Sequence, residues 1–426
     1  MIDRTLAPAF KQVENIELIH ATPHVLSNEV KVFVIAGGEQ EIVRLEFIFS
    51  NVNWDKSKPI QAFATNTMLN DGTSEYTASQ IAEKTDYYGA FLTTEYGYDQ
   101  STVTLCTLNK HLASTLPIVK AILTDSIFPE NELRTFVRNQ KQKLSVSLEK
   151  NDFLSRRLFN KALFGNTLYG HDTQANDYDA LTQQELKEYF HQAYQPKNCT
   201  IIASGKVTDE TLEQIDQHFG KDWGNKATKG ILENDFVFNK ASGGDHYLEK
   251  PDALQSAIRL GQVSVNRAHP DFTGLQVLNT ILGGYFGSRL MANIREDKGY
   301  TYGIGSALMS FKNTGCFFIT SEVGVDVCSA TLNEIQKELT TLQREPVSAN
   351  ELSLVRNYML GSILGSLENT LSHADKFKNI YFFGLGYAYY DRYIQTVRTI
   401  TADELLQLAN QYLLFDEMEK VIVGKK

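Results

Sequence analysis

The sequence predicts an α+β fold built as two similar halves, each an antiparallel-rich sheet with helices packed on one face. Three observations carry that expectation. Residues 180–206 (ALTQQELKEYFHQAYQPKNCTIIASGK) resemble residues 399–425 (TITADELLQLANQYLLFDEMEKVIVGK), which marks an internal repeat. Each half also has the same order of segments: a strand pair, a helix, two more strands, a long helical region and a closing helix and strand. Between the halves, residues 221–245 (KDWGNKATKGILENDFVFNKASGGD) lose periodicity and gain Gly, Asn and Lys, the composition of a linker. The expected organisation is therefore a first half over 1–220, a linker over 221–245 and a second half over 246–426.

The individual elements follow from local pattern. Residues 29–50 (EVKVFVIAGGEQEIVRLEFIFS) and 246–265 (HYLEKPDALQSAIRLGQVSV) set β-branched and aromatic residues around turn signals, which predicts strand pairs. Helices follow near 58–70 and 270–283. Strands return near 90–107 and 301–323, turning at Tyr96-Gly97-Tyr98 in the first half and at Lys312-Asn313-Thr314-Gly315 in the second. Helical patterns fill 109–164 and 326–384. The closing segments each open on a capping box, Thr182 with Glu185 and Thr401 with Glu404, where side chain and backbone satisfy each other's orphan donors. The spacing from that threonine to the glycine ending the strand, Gly205 or Gly424, is the same in both halves.

Composition narrows the function classes. A chain of 426 residues suggests about two to four domains of roughly 100 to 200 residues. With 42% hydrophobic and 22% charged residues, it has the make-up of a globular protein rather than a disordered or collagen-like one. No apolar run approaches the roughly 18 residues of a membrane helix. A net charge of -10 without a Lys/Arg cluster lacks the concentrated positive field that nucleic acid or an acidic membrane requires. Peptides or proteins remain as partners. Cys106, Cys199, Cys316 and Cys328 lie far apart with no C-x-x-C pair, so reduced thiols are expected rather than disulfides or a thiolate zinc site. The start MIDRTLAPAFKQVEN has no basic stretch followed by an apolar one, which makes the cytoplasm the expected compartment.

Several motifs are absent or incomplete. There is no Walker loop, no G-x-S-x-G elbow and no EF-hand loop. The glycines of LGGYFGS and YGIGS do not complete G-x-G-x-x-G with an acidic residue about 20 positions on. His20 and His24 are four apart, but Pro23 and strand-like surroundings deny them the helical face on which such ligands converge. His171-Asp172 and Asp245-His246 lie in glycine-flanked turns, where polar side chains cap backbone.

Residues 281–306 (ILGGYFGSRLMANIREDKGYTYGIGS), 250–262 (KPDALQSAIRLGQ), 190–207 (FHQAYQPKNCTIIASGKV) and 163–170 (LFGNTLYG) resemble the M16 (pitrilysin-like, mitochondrial-processing-peptidase-like) metallopeptidase family. The resemblance covers essentially the whole chain. It implies the M16/LuxS-like metallohydrolase fold, two α+β halves joined by a linker, and a peptide chamber closed by a second chain.

In that family an H-x-x-E-H helix holds zinc and supplies the base, and a downstream Glu completes the metal site. The motif positions fall here on Phe63-Ala64-Thr65-Asn66-Thr67, so the residues at Phe63, Asn66 and Thr67 replace every essential group. The downstream Glu falls near Gln140 to Leu144 (QKQKL), where no carboxylate stands, although a small gap would bring Glu149 into register. The resemblance therefore implies no zinc in this chain and zinc in a partner. The family's second constellation, an Arg and a Tyr that contact substrate at the partner's zinc, falls on Arg295 and Tyr302, and both are present. Gly299 is expected to end the helix, leaving Arg295 on its last turn and Tyr302 at the start of the next strand.

From the residues alone, Arg295 reads first as a helix-dipole cap paired with a nearby acid, with Tyr300 and Tyr302 alternating on a strand, and the resemblance reverses that preference. The resemblance implies a metal-free subunit, inactive alone, that pairs with an H-x-x-E-H-bearing chain as a heterodimer, or with itself as a homo-dimer, and acts on peptide. The alternative is a non-enzymatic assembly protein of M16 descent, similar to the core subunits of the respiratory bc1 complex. The repeat also sets Asn66-Thr67-Met68-Leu69 opposite Asn279-Thr280-Ile281-Leu282, which reads as a shared packing helix.

Overall fold

A computed structural model describes residues 13, 15–221, 223, 231–238 and 243–425. The chain forms two sheets. The first contains β1 (Thr22–Val25), β2 (Lys31–Ala36), β3 (Ile42–Ser50), β4 (Phe91–Tyr96), β5 (Gln100–Leu108) and β6 (Cys199–Gly205), ordered β1-β2-β6-β3-β5-β4. The second contains β7 (Gly244–Glu249), β8 (Gln255–Ser264), β9 (Thr301–Ser310), β10 (Gly315–Gly324) and β11 (Glu419–Gly424), ordered β7-β11-β8-β10-β9. Without β1 the two orders coincide. In each, one pair is parallel, β2 with β6 and β7 with β11, and the remaining neighbours are antiparallel.

The expected helices are present in shorter, better-defined pieces. The pattern near 58–70 is the helix Gln61–Thr67, and that near 270–283 is the helix Phe272–Asn279 continued by a π-turn over Thr280–Gly284. Residues 109–164 hold helices Leu112–Asp125, Glu130–Leu148 and Asn151–Phe164, and 326–384 hold Cys328–Arg344, Ala349–Gly365 and Thr370–Tyr381. Both capping boxes form, on helices Gln183–Ala193 and Ala402–Tyr412.

β3, IVRLEFIFS, sets Val43, Leu45, Phe47 and Phe49 on one face and Ile42 and Ile48 beside Arg44 and Glu46 on the other, and residues of both faces are buried, so both faces of the sheet are covered. One face is covered by the half's own helices: Val43, Leu45, Phe47 and Phe49 join the core with Leu116, Ile122 and Phe190. The other face is covered from across the molecule. Ile35, Ile48 and Ile202 of the first sheet pack on Ala374 and Phe377 of the second half's helix Thr370–Tyr381. Reciprocally, Cys316, Val421 and Val423 of the second sheet pack on Phe159, Leu163 and Phe164 of the first half's helix Asn151–Phe164. The sequence expectation of helices on one face holds for each half's own helices, and the exchange of one helix between halves completes both cores.

Ion pairs repeat the exchange. Arg44 on β3 donates to Asp375 at 2.7 Å, and Arg259 on β8 donates to Asp152 at 3.2 Å, each acid standing on the exchanged helix. Both aspartates are about half exposed, so the pairs orient the helices more than they stabilise them, at roughly 0 to 1 kcal/mol each. Glu46, almost fully buried, accepts from Lys378 at 2.5 Å and sits 3.1 Å from Arg44.

Of the expected linker, residues 222, 224–230 and 239–242 lie outside the described residues. Residues 231–238 run along the first half: Asn53 N donates to Leu232 O at 2.9 Å, and Phe236 stacks edge-on against Tyr169 at 5.7 Å. Among the described residues no helix is long and apolar enough to cross a membrane.

Phe377 is 7% exposed and sits between the halves. Phe377→Ala is expected to destabilise the protein by about 3 to 5 kcal/mol, read as a lower urea midpoint. Val146→Ala, at an exposed site, is expected to change it by less than about 0.5 kcal/mol.

Candidate functional site

The helix Gln61–Thr67 carries the positions on which the H-x-x-E-H motif is expected to fall. Here they are packed. The Phe63 ring lies 5.6 Å from that of Tyr96 and 6.0 Å from that of Phe136. Asn66 is fully buried and its Nδ2 donates to Tyr194 Oη at 3.1 Å. Thr67 Oγ1 donates back to the Phe63 carbonyl at 2.8 Å, the usual way a mid-helix threonine satisfies itself. Burial pushes the Tyr96 and Tyr194 hydroxyls well above the ordinary phenol range, so both remain neutral donors or acceptors. Asn66 Oδ1 and Thr65 Oγ1 are buried without a partner among the described residues, at a cost of roughly 1 to 3 kcal/mol each.

Zinc does not fit this donor set. It needs imidazole, thiolate or carboxylate ligands, whereas a phenyl ring, an engaged amide and a hydroxyl bonded to backbone offer none. Leu144, within the stretch where the downstream ligand is expected, is buried in the first core. Glu149 does not rescue the site: it caps the end of the helix Glu130–Leu148, is mostly exposed and pairs with Lys250 of the second half at 3.7 Å. Among the described residues no group of three or more His, Cys, Asp or Glu converges as a metal cluster.

Three of the four histidines singled out in the sequence have structural partners. His20 stacks on Tyr387 with ring centres 4.0 Å apart, His171 contacts Asp177 at 2.9 Å, and His246 contacts Glu419 at 2.7 Å. His24 stands on the exposed edge strand β1. None of the four cysteines forms a disulfide, and burial raises the pKa of the Cys316 thiol to about 12.

Arg295 and Tyr302 are brought together. Gly299, at φ +67°, breaks the helical turn and β9 begins two residues later at Thr301. The turn over Met291–Asp297 is a π-helix, with Lys298 N donating to Asn293 O at 3.0 Å. It is tied down on both sides: Asn293 donates to Glu334 at 2.9 Å and Glu338 at 2.7 Å, and Arg289 grips Glu351 with two bonds of 2.8 Å. Ile294 is fully buried and anchors the turn, which leaves the neighbouring Arg295 half-buried. Its guanidinium centre lies 4.6 Å from the Phe286 ring centre and 5.6 Å from that of Tyr302.

Among the described residues no carboxylate lies within ion-pair distance of Arg295, so the reading as a cap paired with an acid loses its partner. Arg295 is instead held by two aromatic faces, an arrangement worth about 0.5 to 1 kcal/mol at an exposed site. Phe286 is 63% exposed and Tyr302 is 90% exposed.

A β-bulge aims Tyr302. Ile304 pairs with Ser321 and Thr301 with Val323, so Tyr302 and Gly303 together oppose the single residue Glu322. Simple alternation would put Tyr302 on the same face as the buried Ile304. The extra residue instead turns Thr301 and Ile304 inward together and Tyr302 outward. Thr301 Oγ1 secures the bulge by donating to Glu322 O at 2.6 Å and accepting from Gly303 N at 3.1 Å. Sequence reasoning missed Phe286 and the bulge. The glycine after Tyr302 was the available signal for the latter.

Residues 180–359 match the family profile "Peptidase M16 inactive domain", a span that includes Arg295 and Tyr302 and leaves out the helix Gln61–Thr67. The chain is 28% identical over 311 residues to "Uncharacterized zinc protease YmxG" of Bacillus subtilis, covering 72% of this chain and 74% of that one. It is 24% identical over 196 residues to "Probable inactive metalloprotease YmfF" of the same species, covering 45% of each. The crystal structure of a peptidase M16 inactive domain from Pseudomonas fluorescens superposes with a TM-score of 0.85 at 22% identity, covering 95% of this chain and 98% of that one. This chain carries an M16 inactive domain over residues 180–359. Its fold is the M16 α+β fold, and the matched segment is the family's inactive domain.

The Asn-Asp-Gly turn after the helix Gln61–Thr67 carries a perturbed acid. Burial, and secondarily the Glu132 charge, raise Asp71 from the usual carboxylate range to about 6. Its folded pKa lies above the unfolded value, so its ionisation costs stability as pH rises from about 4 to about 6 and above. After allowance for solvent screening the cost at pH 7 is about 1 kcal/mol. Asp71→Asn is expected to raise the unfolding midpoint at pH 7 and leave it unchanged at pH 4, measured by thermal denaturation at both values.

Proposed function

We propose that this chain is the metal-free subunit of a two-chain M16-type zinc peptidase. In this reading the halves over 1–220 and 246–426 arose by duplication and are joined by the linker over 221–245. An H-x-x-E-H-bearing partner supplies zinc and general base. This chain contributes half of the peptide chamber together with Arg295 and Tyr302. The observation that carries the reading is the asymmetry between the two constellations. The metal positions are filled by packing residues, Asn66 buried and Phe63 and Thr67 half-buried, while the exposed Tyr302 and the half-buried Arg295 are adjacent, held by a bulge and a π-turn, and without an ion-pair partner among the described residues.

The chemistry assigned to each residue follows from its donors. Arg295 offers a planar fork to a peptide carbonyl, and Tyr302 a single O–H to the oxyanion that develops when water adds at the partner's metal. The stack on Phe286 limits the guanidinium's freedom before substrate arrives, which lowers the entropy cost of using it. β9 is the outermost strand of its sheet, so an extended peptide could join along that edge and pass Tyr302 as it does so.

The test is a pair reconstituted from this chain and an H-x-x-E-H relative, assayed on unfolded peptides. Arg295→Ala and Tyr302→Phe are each expected to lower kcat by about 10²- to 10³-fold while the pair stays assembled on a sizing column. An assembly protein without a catalytic part predicts unchanged turnover in both variants, and that result would reject the proposal.

A further inference from the structure

The internal repeat sets Phe63, Asn66 and Thr67 of the first half against Gln276, Asn279 and Thr280 of the second. In the first half this helix face is packed against aromatic side chains. In the second the corresponding three residues line a cavity of about 480 Å³. The cavity also takes in Arg267, Lys376 and three tyrosines of the helix Ala388–Thr399, and among the described residues no carboxylate lines it.

The two cations are unusual in their surroundings. Arg267 is boxed by aromatic rings, with its guanidinium centre 5.8 Å from the ring centres of both Phe383 and Tyr389, and its Nη1 donates to Asn379 O at 3.0 Å. Its Nε is buried without a partner among the described residues. Lys376 Nζ makes no hydrogen bond or ion pair among them, and burial together with the Arg267 charge lowers its pKa. The adjacent acid, Asp375, is turned away and accepts from Arg44 of the first sheet at 2.7 Å. Two like charges gathered in a partly buried cavity repel each other and lose hydration, a cost that an anion between them offsets.

We infer that this cavity is an oxyanion site, taking a carboxylate or phosphate between Arg267 and Lys376, with the Tyr393 hydroxyl as a neutral donor at its wall. The size of the cavity leaves room for more than the charged group. A free phosphate and the terminal carboxylate of a peptide share this chemistry. The site stands on different residues from Arg295 and Tyr302 and does not depend on the peptidase reading.

The test uses the full chain and three probes in calorimetric titration: inorganic phosphate, a short peptide with a free C-terminus, and the same peptide amidated. The expected result is saturable one-to-one binding of phosphate, of the free-acid peptide, or of both, with the amide silent. Phosphate alone assigns the site to a phosphate-bearing ligand, and the free-acid peptide alone assigns it to peptide termini. Lys376→Gln is expected to weaken binding by about tenfold or more, and Lys376→Arg to retain it. Arg295→Ala is expected to leave it unchanged. If Lys376→Gln does not fold, Tyr393→Phe takes its place and is expected to weaken binding several-fold. Absence of saturable binding by both anions, binding of the amide equal to the acid, or unchanged affinity in Lys376→Gln or its replacement overturns the inference.

Discussion

Each sheet of this protein has two apolar faces and only one set of helices of its own to cover them. That constraint organises the molecule. It is met by exchanging one helix in each direction, Asn151–Phe164 onto the second sheet and Thr370–Tyr381 onto the first. An arginine from a central strand reaches an aspartate on each exchanged helix. Neither half could expose its second face to water without presenting a large apolar patch. The relative placement of the halves, and of anything built on their rims, therefore follows from core burial rather than from a hinge.

On that frame the two constellations of the M16 family meet opposite fates for physical reasons. The helix Gln61–Thr67 lies against the core, where Phe63, Asn66 and Thr67 serve as packing and hydrogen-bonding residues. Restoring metal there would require replacing a phenyl ring lodged among aromatic neighbours. The Arg295 and Tyr302 pair lies at the edge strand, where nothing in the core needs it. Its position costs a π-turn and a bulge, irregularities that recur at functional sites in proteins generally. Among the described residues nothing else uses the donors they present.

Much of this was legible in the sequence. The paired capping boxes Thr182 with Glu185 and Thr401 with Glu404 fixed the repeat, and β-branched runs located most of the strands, because both signals are local. The reading of helices on one face did not disclose that the second face is covered too, nor by which helix, since that contact joins residues more than three hundred positions apart. Tyr302's outward direction was hidden for a related reason: simple alternation assigns it inward, and only pairing with β10 discloses the extra residue. Phe286 read as part of a glycine-rich segment, and its stacking on Arg295 depends on a turn whose π geometry no period of 3.6 predicts. The cationic cavity was invisible because Arg267 and Lys376 are remote in sequence and meet only when the second half folds.

The central claim is that chemistry here is shared, with this chain supplying substrate contacts to another chain's metal. The most direct measurement assays peptide hydrolysis and zinc content of this chain alone, of an H-x-x-E-H relative from the same organism alone, and of the two mixed. The account predicts no turnover and no stoichiometric zinc in this chain alone, with turnover appearing on mixing and zinc following the relative. Peptide hydrolysis or one zinc per molecule in this chain by itself would contradict it.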